Sequence, residues 1–384
     1  MALRLNGQTS GYVELDAPAV AGNNTIVLPT SGSLASTTQL GPRNLVINGA
    51  MQVAQRGTSF TSVSSTQYTL DRWQLAIGTS AVFDAIQSST APAGFASSLK
   101  VDCTTTSTPT TNQECFVRYK LEGQDVQQLQ YGTSGAQSIT FSFWVRSNKT
   151  GDYGLRFSQE DASPVRQYVT TYTISSANTW EHKTITIPGD TAGTINNDNG
   201  EGLQIRFYLQ AGPDRAGTPA ETWDTDTDNR ATDLNLGDST DNEWLLTGVQ
   251  LEVGSVATPF EHRSYGDELA RCERYYQVFT NGVNDRGIAM GAFYNSSTCV
   301  CVLPFRTTMR ANPTIDATNG GSPSPFTFYI HGIGHNTATV TAGGGTTPYA
   351  AGIRPSSAVS GTQGSAGEFK TSNAAAHLAF SAEL

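Results

Sequence analysis

Residues 244–276 read WLLTGVQLEVGSVATPFEHRSYGDELARCERYY, and the hydrophobic period changes within them. Leu245, Val249, Leu251 and Val253 fall on one face, with Trp244, Gln250 and Glu252 on the other, the period of two of a half-buried strand. Further on, Leu269, Cys272, Tyr276 and Phe279 recur at three, four and three. That spacing predicts a short helix over residues 266–279, with Asp267 and Glu268 in the first turn, where the helix dipole favours negative charge. One β domain is therefore expected to end here and a second region to begin.

The flanking sequence is strand-like on both sides. Leu203, Ile205, Phe207 and Leu209 alternate with Gln204, Arg206, Tyr208 and Gln210; Phe141, Phe143 and Val145 alternate with Ser142, Trp144 and Arg146. Tyr153, Leu155 and Phe157, then Tyr168, Tyr172 and Ile174, then Ile185 and Ile187 continue the series. With no helix-length amphipathic run between them, these strands predict an antiparallel sandwich. Beyond the helix, strands are expected at 288–294, 298–305 and 326–331 and in the terminal HLAFSAEL, separated by Gly- and Pro-rich loops of the kind that carry binding surfaces. Residues 1–40 hold two short strand-like pieces, GYVEL and NTIVLP, too little apolar surface for a core of their own. No internal repeat occurs, which argues against a solenoid.

Composition narrows the function classes. The 38 glycines in 384 residues exceed the usual share of about 7% and favour turns. A net charge of −10 and the lack of any basic run argue against nucleic-acid binding. No stretch approaches the roughly 18 apolar residues of a membrane span, and MALRLNGQTSGYVELDAPAV has no signal-peptide pattern, so assembly in a cytoplasm is the expectation. Five cysteines are then expected as reduced thiols, with Cys299 and Cys301 on the core face of one strand.

Four pieces of the chain carry a resemblance. The run VQLEVGSVATPFEHRSYGDELARCERYY, NLVINGAMQVAQRGTSF with YTLDRWQL, LNGQTSGYVELDAPAVAGNNTIVLPTSGS, and LPFRTTMRANPTI resemble segments of tail fibre and minor structural, receptor-binding proteins of tailed bacteriophages, of the marine or cyanobacterial phage type. The resemblance implies an all-β chain in three parts: an N-terminal virion attachment segment (1–40), a carbohydrate-binding-like jelly-roll β-sandwich (41–265), and a short linking helix with a C-terminal β domain (266–384). It implies a non-enzymatic virion protein, a homotrimeric tail fibre or adhesin binding host surface polysaccharide. A capsid decoration or head fibre protein and a tailspike polysaccharide depolymerase are the alternatives.

Candidate sites follow from the chemistry. A sugar needs an exposed aromatic platform with polar groups beside it. Trp180 and Trp223 lie in polar, turn-like sequence, as does Tyr349; ligand contact, loop anchoring and subunit contact stay open for them, with anchoring favoured. Trp73, Trp144 and Trp244 sit at alternating runs and read as sandwich or interface residues. Asp224, Asp226 and Asp228 resemble the opening of a calcium loop, but Asn229 and Asn235 stand where that loop has glycine and glutamate, which favours a solvated acidic turn over a structural calcium site. Jelly-roll carbohydrate-binding modules often carry such a calcium, so the resemblance keeps that reading open. His331 and His335, in HGIGH, read as loop residues because two glycines break a helix between them, and His182, His262 and His377 are isolated. Glu160 with Asp161, or Asp190 with Glu201, could serve as the carboxylate pair of a glycosidase, but no catalytic motif occurs and no catalytic residue is assigned.

Overall fold

The computed structural model describes residues 3–6, 12–15, 43–215, 217–226, 234–318, 324–330, 332–337, 339–355 and 359–384. The chain divides into two compact units, Met1–Pro42 and Arg43–Leu384. In the first, strands β1 (Leu3–Asn6) and β2 (Tyr12–Leu15) pair antiparallel, Leu3 opposite Leu15. The expected NTIVLP strand, residues 24–29, lies outside the described residues.

The second unit begins with a sandwich of β3 (Ser59–Val63), β4 (Gln67–Tyr68), β5 (Gln74–Ile77), β6 (Val82–Ser88), β7 (Ser98–Thr105), β8 (Glu114–Glu122), β9 (Ile139–Ser147), β10 (Gly151–Gln159), β11 (Arg166–Ile174), β12 (Glu181–Ile187), β13 (Glu201–Ala211), β14 (Trp223–Asp224) and β15 (Glu243–Val253). One sheet runs β12-β9-β15-β7-β6-β3 and the other β14-β11-β10-β13-β8-β5-β4. The chain changes sheet from β7 to β8, β8 to β9, β9 to β10, β11 to β12 and β12 to β13, and returns through β14 to β15. That alternation, with β7-β15-β9-β12 facing β8-β13-β10-β11, is the double Greek key of a jelly roll. Strand order was not legible before the structure; the alternating apolar positions were, and they fill the space between the sheets. Phe207 lies at the centre, its ring 5.1 Å from Phe143, 5.6 Å from Trp244 and 5.7 Å from Phe141.

β15 departs from the period assumed for it. Trp244 and Leu246 enter the core, then Val249 and Leu251 do, so the inward parity switches within the strand. The switch is a β-bulge between Thr247 and Gln250, where the register against β9 slips. Leu245 is therefore on the face opposite Val249 and Leu251, and Val253 is exposed. Gly248 makes the bulge, at φ +61°, and a Cβ there would meet Phe95 at 2.7 Å and Trp144 at 2.9 Å. Past the bulge, residues 44–49 bind β15 along its free edge, Leu45 N–H donating to Leu251 O and Val249 N–H to Gly49 O, each at 2.9 Å.

The helix α1 spans Tyr265–Glu273, shorter than the expected 266–279. Ser264 caps it, its Oγ accepting from Asp267 N–H at 3.2 Å. Tyr276 and Phe279 belong instead to β16 (Tyr276–Asn281), since the run of β-forming residues from Tyr275 is claimed by pairing with β25 (His377–Ser381). The buried helix face holds Glu268, Cys272 and Glu273. Glu268 is paid for by Asn48 N–H and by Arg263 at 3.3 Å. The rest comprises β17 (Gly287–Asn295), β18 (Thr298–Pro304), β19 (Thr314–Thr318), β20 (Phe326–Ile330), β21 (Ile333–Thr337), β22 (Val340–Ala342), β23 (Ala350–Pro355) and β24 (Ala366–Thr371). Sheets β16-β25-β19 and β21-β20-β24-β17-β18-β23-β22 share a core of Phe293, Cys299, Cys301, Leu303, Phe328, Phe369, Leu378 and Phe380. All five cysteines are buried free thiols.

A buried cation joins the two cores. Arg72 has 1% of its side chain exposed; it pairs with Glu383, donates to Lys120 O at 2.6 Å and lies 3.4 Å from the Tyr275 ring centre. Removing one partner of a buried pair strands the other charge, so Arg72→Met is expected to cost about 3–5 kcal/mol, read as a lowered urea midpoint. Glu383→Gln is expected to add to that loss, because it also removes the partner of Arg56. Gly248→Ala is expected to lower stability by about 1–2 kcal/mol from the left-handed backbone alone, read as a lowered urea midpoint.

Candidate functional site

The seven-stranded jelly-roll sheet has a second face, turned away from the core. Strand alternation sends Leu75, Val117, Phe207 and Leu155 inward, so their neighbours point outward. The register then aligns those neighbours across five strands: Gln74 beside Arg118, Arg118 beside Arg206, Arg206 beside Arg156, and Arg156 beside Val169. Two residues along lies a second row, Lys120, Gln204, Ser158, Gln167 and Asp224. On the other side Phe116 and Tyr208 pack edge to face at 5.4 Å.

Three guanidinium groups thus stand abreast at the spacing of a sheet, where like charges oppose folding. The face offsets this in part. Arg118 Nε donates to Gln74 and Arg206 Nε to Gln204; the Arg206 guanidinium sits 4.7 Å from the Phe116 ring centre and 3.7 Å from a Glu114 oxygen. Burial, and then the Arg206 charge alongside, pull the Arg118 pKa down. Lys120 pairs with Glu201 at 2.7 Å, and Ser158 donates to Glu160 at 2.6 Å. Gln167 has no exposed surface, and neither its amide oxygen nor its amide nitrogen has a hydrogen-bond partner. Orphaned buried amides are rare because each costs free energy.

The positions singled out in the sequence are dispersed. Trp223 is half-buried, its indole N–H donating to Pro188 O at 2.7 Å and its ring 5.5 Å from Tyr131 and 5.8 Å from Tyr168, which is the contact set of an anchor. Trp180 is half-buried just ahead of β12, and Tyr349 is 69% exposed just ahead of β23. Trp73 and Trp244 are core residues, and Trp144 lies 5.0 Å from the His182 ring. Asp224 ends the second polar row, its carboxylate accepting from Asp226 N–H at 3.0 Å, and burial raises its pKa; Asp228 lies outside the described residues. Among the described residues no three His, Cys, Asp or Glu side chains converge as a metal site would require. His331 lies outside the described residues, and His335 is half-buried with its ring 6.0 Å from Phe293.

The carboxylates considered for catalysis have other partners. Asp190 accepts from Arg166 at 2.5 and 3.0 Å, from Gln159 at 2.6 Å, and from the Ala192 and Gly193 N–H groups; burial raises its pKa, but these bonds outweigh burial and hold it below the usual range. Glu201 is bound by Lys120 and Gln204, Glu160 by Ser158, and Asp161 by Asn196 at 3.0 Å. A second surface lies on the outer face of the C-terminal seven-stranded sheet, where Met290, Tyr294, Val302 and Tyr329 are exposed. The arginine row escaped sequence reading because its members come from β8, β10 and β13; the available signal was Arg206 at a polar position of a faultless alternation.

No protein-family model matches the chain, and no curated protein matches it. Solved structures that match include a family 11 carbohydrate-binding module from Clostridium thermocellum, in complex with a β-1,3-1,4-mixed-linked tetrasaccharide, at 13% identity and TM-score 0.28, covering 53% of this chain and 99% of that one. A xylan-binding domain of Paenibacillus barcinonensis Xyn10C matches at 12% identity and TM-score 0.23, over 52% and 94% of the two chains. The enzymatically active domain of bacteriophage CBA120 tailspike protein 4 matches at 11% identity and TM-score 0.28, over 59% and 24%. Likeness at these TM-scores carries no argument about ligand or activity; the jelly roll stands on its own strand order.

Trp223→Ala is expected to lower stability by about 1–3 kcal/mol through lost burial, measured by thermal or urea unfolding.

Proposed function

We propose that this chain is a non-enzymatic bacteriophage virion protein, a homotrimeric tail fibre or adhesin that binds host surface polysaccharide through the outer face of its jelly-roll sheet. The observation that carries the reading is the double row of polar side chains on that face, with Phe116 and Tyr208 beside it. Amides and guanidiniums aligned across a sheet are the groups that saccharide hydroxyls bond, while Phe116 and Tyr208, 6% and 0% exposed, pack against the row and offer no stacking platform. Met290, Tyr294 and Val302, exposed on the C-terminal sheet, would favour self-association if a subunit contact covered them. Residues 1–40 would attach the protein to the particle, which is assembled in the host cytoplasm, and several weak saccharide contacts on one particle would combine through effective concentration.

Two measurements test this. Mass photometry at micromolar concentration is expected to give trimers, and monomers alone would remove the fibre. A saccharide array probed with the full chain is expected to retain it without releasing reducing ends; retention on no saccharide would remove the adhesin, and released reducing ends would make it a depolymerase.

A further inference from the structure

The three-stranded sheet β16-β25-β19 turns Leu378 and Phe380 into the C-terminal core, so His377 and Ala379 stand on its other face. The register sets Asn281 and Thr318 on either side of His377, and Asp316 beside Ala379. The jelly roll packs against this second face: Gln55 donates to Tyr276 O at 2.7 Å, and the Arg56 guanidinium lies 3.6 Å from the Tyr276 ring centre. Beside that contact lies a cleft of about 510 Å³, lined by Phe60 from the jelly roll and by Asn281, Asp316, Thr318 and His377 from the sheet. Ligand pockets run from about 300 to 1,000 Å³ and favour the places where two packed parts of a protein meet. The Tyr276 hydroxyl donates to Asp316 Oδ2 at 2.7 Å, so in its 3.2 Å bond with His377 Nε2 it accepts, and the neutral imidazole keeps Nδ1 as an acceptor. Among the described residues, Asp316 Oδ1, His377 Nδ1 and the side chains of Asn281 and Thr318 have no hydrogen-bond partner. The imidazole, 3.8 Å from Asp316, holds that carboxyl below its usual range against burial, and the Tyr276 hydroxyl adds to the effect. The arginine on the wall, Arg56, is paired with Glu383 at 3.1 Å.

Resting on the saccharide reading above for the class of ligand, we propose that this cleft is a second saccharide site, which takes a neutral sugar bearing adjacent hydroxyl groups. Two such hydroxyls donate to Asp316 Oδ1 and His377 Nδ1, and the Asn281 amide and Thr318 hydroxyl serve the oxygens beside them. An ionised acceptor bonds a hydroxyl more strongly than a neutral one, and the same charge repels uronate and sulfate, which selects a neutral sugar. The half-buried Phe60 ring, packed against the jelly-roll core, supplies the apolar surface that the C–H face of a sugar needs. Strand pairing fixes Asn281, His377 and Thr318 before any ligand arrives, so little ordering is left to oppose binding.

The test is calorimetric titration of the full chain with a glucan, a mannan, a galactan and a polyuronate. Binding to at least one neutral polymer is expected, and Asp316→Asn is expected to weaken it about tenfold, the size of a lost charge-assisted hydrogen bond. Asn281→Trp, which fills the cleft from an exposed position, is expected to weaken it at least as much, while Lys183→Gln in the jelly roll leaves it unchanged. Amide hydrogen exchange of the unaltered chain with the bound polymer is expected to slow at 276–282 and 314–318, so a variant that fails to fold does not decide the matter. Neutral binding that survives both cleft variants but is weakened by Arg118→Gln, with slowed exchange confined to 116–120 and 204–208, would overturn the cleft and leave the outer-face reading standing. The reverse pattern would keep the cleft and remove the outer face. Binding to the polyuronate alone would overturn the neutral ligand, and binding to none of the four polymers would overturn the cleft together with the saccharide reading.

Discussion

Everything from Arg43 onward is organised around one desolvated cation. Arg72 lies on the tight connection between β4 and β5, with a left-handed backbone at φ +71°. Its side chain reaches the carbonyl of Lys120 in the jelly roll, the ring of Tyr275 just past the helix, and the carboxylate of Glu383 beyond the last strand. A guanidinium suits this place because it is weakly hydrated, planar and able to bond in several directions at once. The neighbouring polar contacts extend the same seam. Burial raises the pKa of Glu122, but two bonds from Arg274 at 2.7 Å and the Tyr275 hydroxyl outweigh that and hold it down. Arg56 lies 3.6 Å from the Tyr276 ring centre and pairs with Glu383 at 3.1 Å. The two hydrophobic cores are thus joined by ionic and cation–π contacts.

Such a joint has a geometric consequence. Apolar packing tolerates sliding, whereas bonds to fixed lone pairs do not, so the jelly roll and the C-terminal sheets keep one relation. The bulge at Gly248 contributes from the other side, since the parity switch keeps Trp244 and Leu251 in one core while freeing an edge of β15 for residues 44–49. Asn44 fixes that edge, its side chain donating to Val249 O at 3.0 Å and accepting from Leu251 N–H at 3.1 Å.

What was legible in the sequence was what repeats along a strand. The alternations at 141–145 and 203–209 became β9 and β13 with their apolar members inward, and Cys299 and Cys301 entered a core with Leu303. The start of the helix was legible because an acidic first turn is a local signal, whereas the Ser264 cap came only with the structure. Its end was not: an interval of four between Cys272 and Tyr276 fits a helix by coincidence, and pairing with a strand a hundred residues away decided against it. The parity of β15 failed for a related reason, because a bulge is one residue of extra length that no period reveals. Trp223, one of the ligand-contact candidates, lies in polar sequence and bonds to Pro188 O through its indole N–H.

The arginine row shows the limit of searching a chain for basic runs. Arg118, Arg156 and Arg206 are dozens of residues apart, and none stands in a basic run. A sheet converts that dispersion into proximity, because antiparallel pairing brings every second residue of each strand into one line across the surface. A chain can therefore be acidic overall, and free of any basic segment, yet bring three arginines into one line on a sheet. Net charge governs solubility and long-range approach, whereas a contact surface is governed by the few groups that the register aligns. In a jelly roll built from alternating strands, the same alternation that fills the core selects those groups. Core and candidate site are two readings of one periodicity, separated only by which side of the sheet each residue takes.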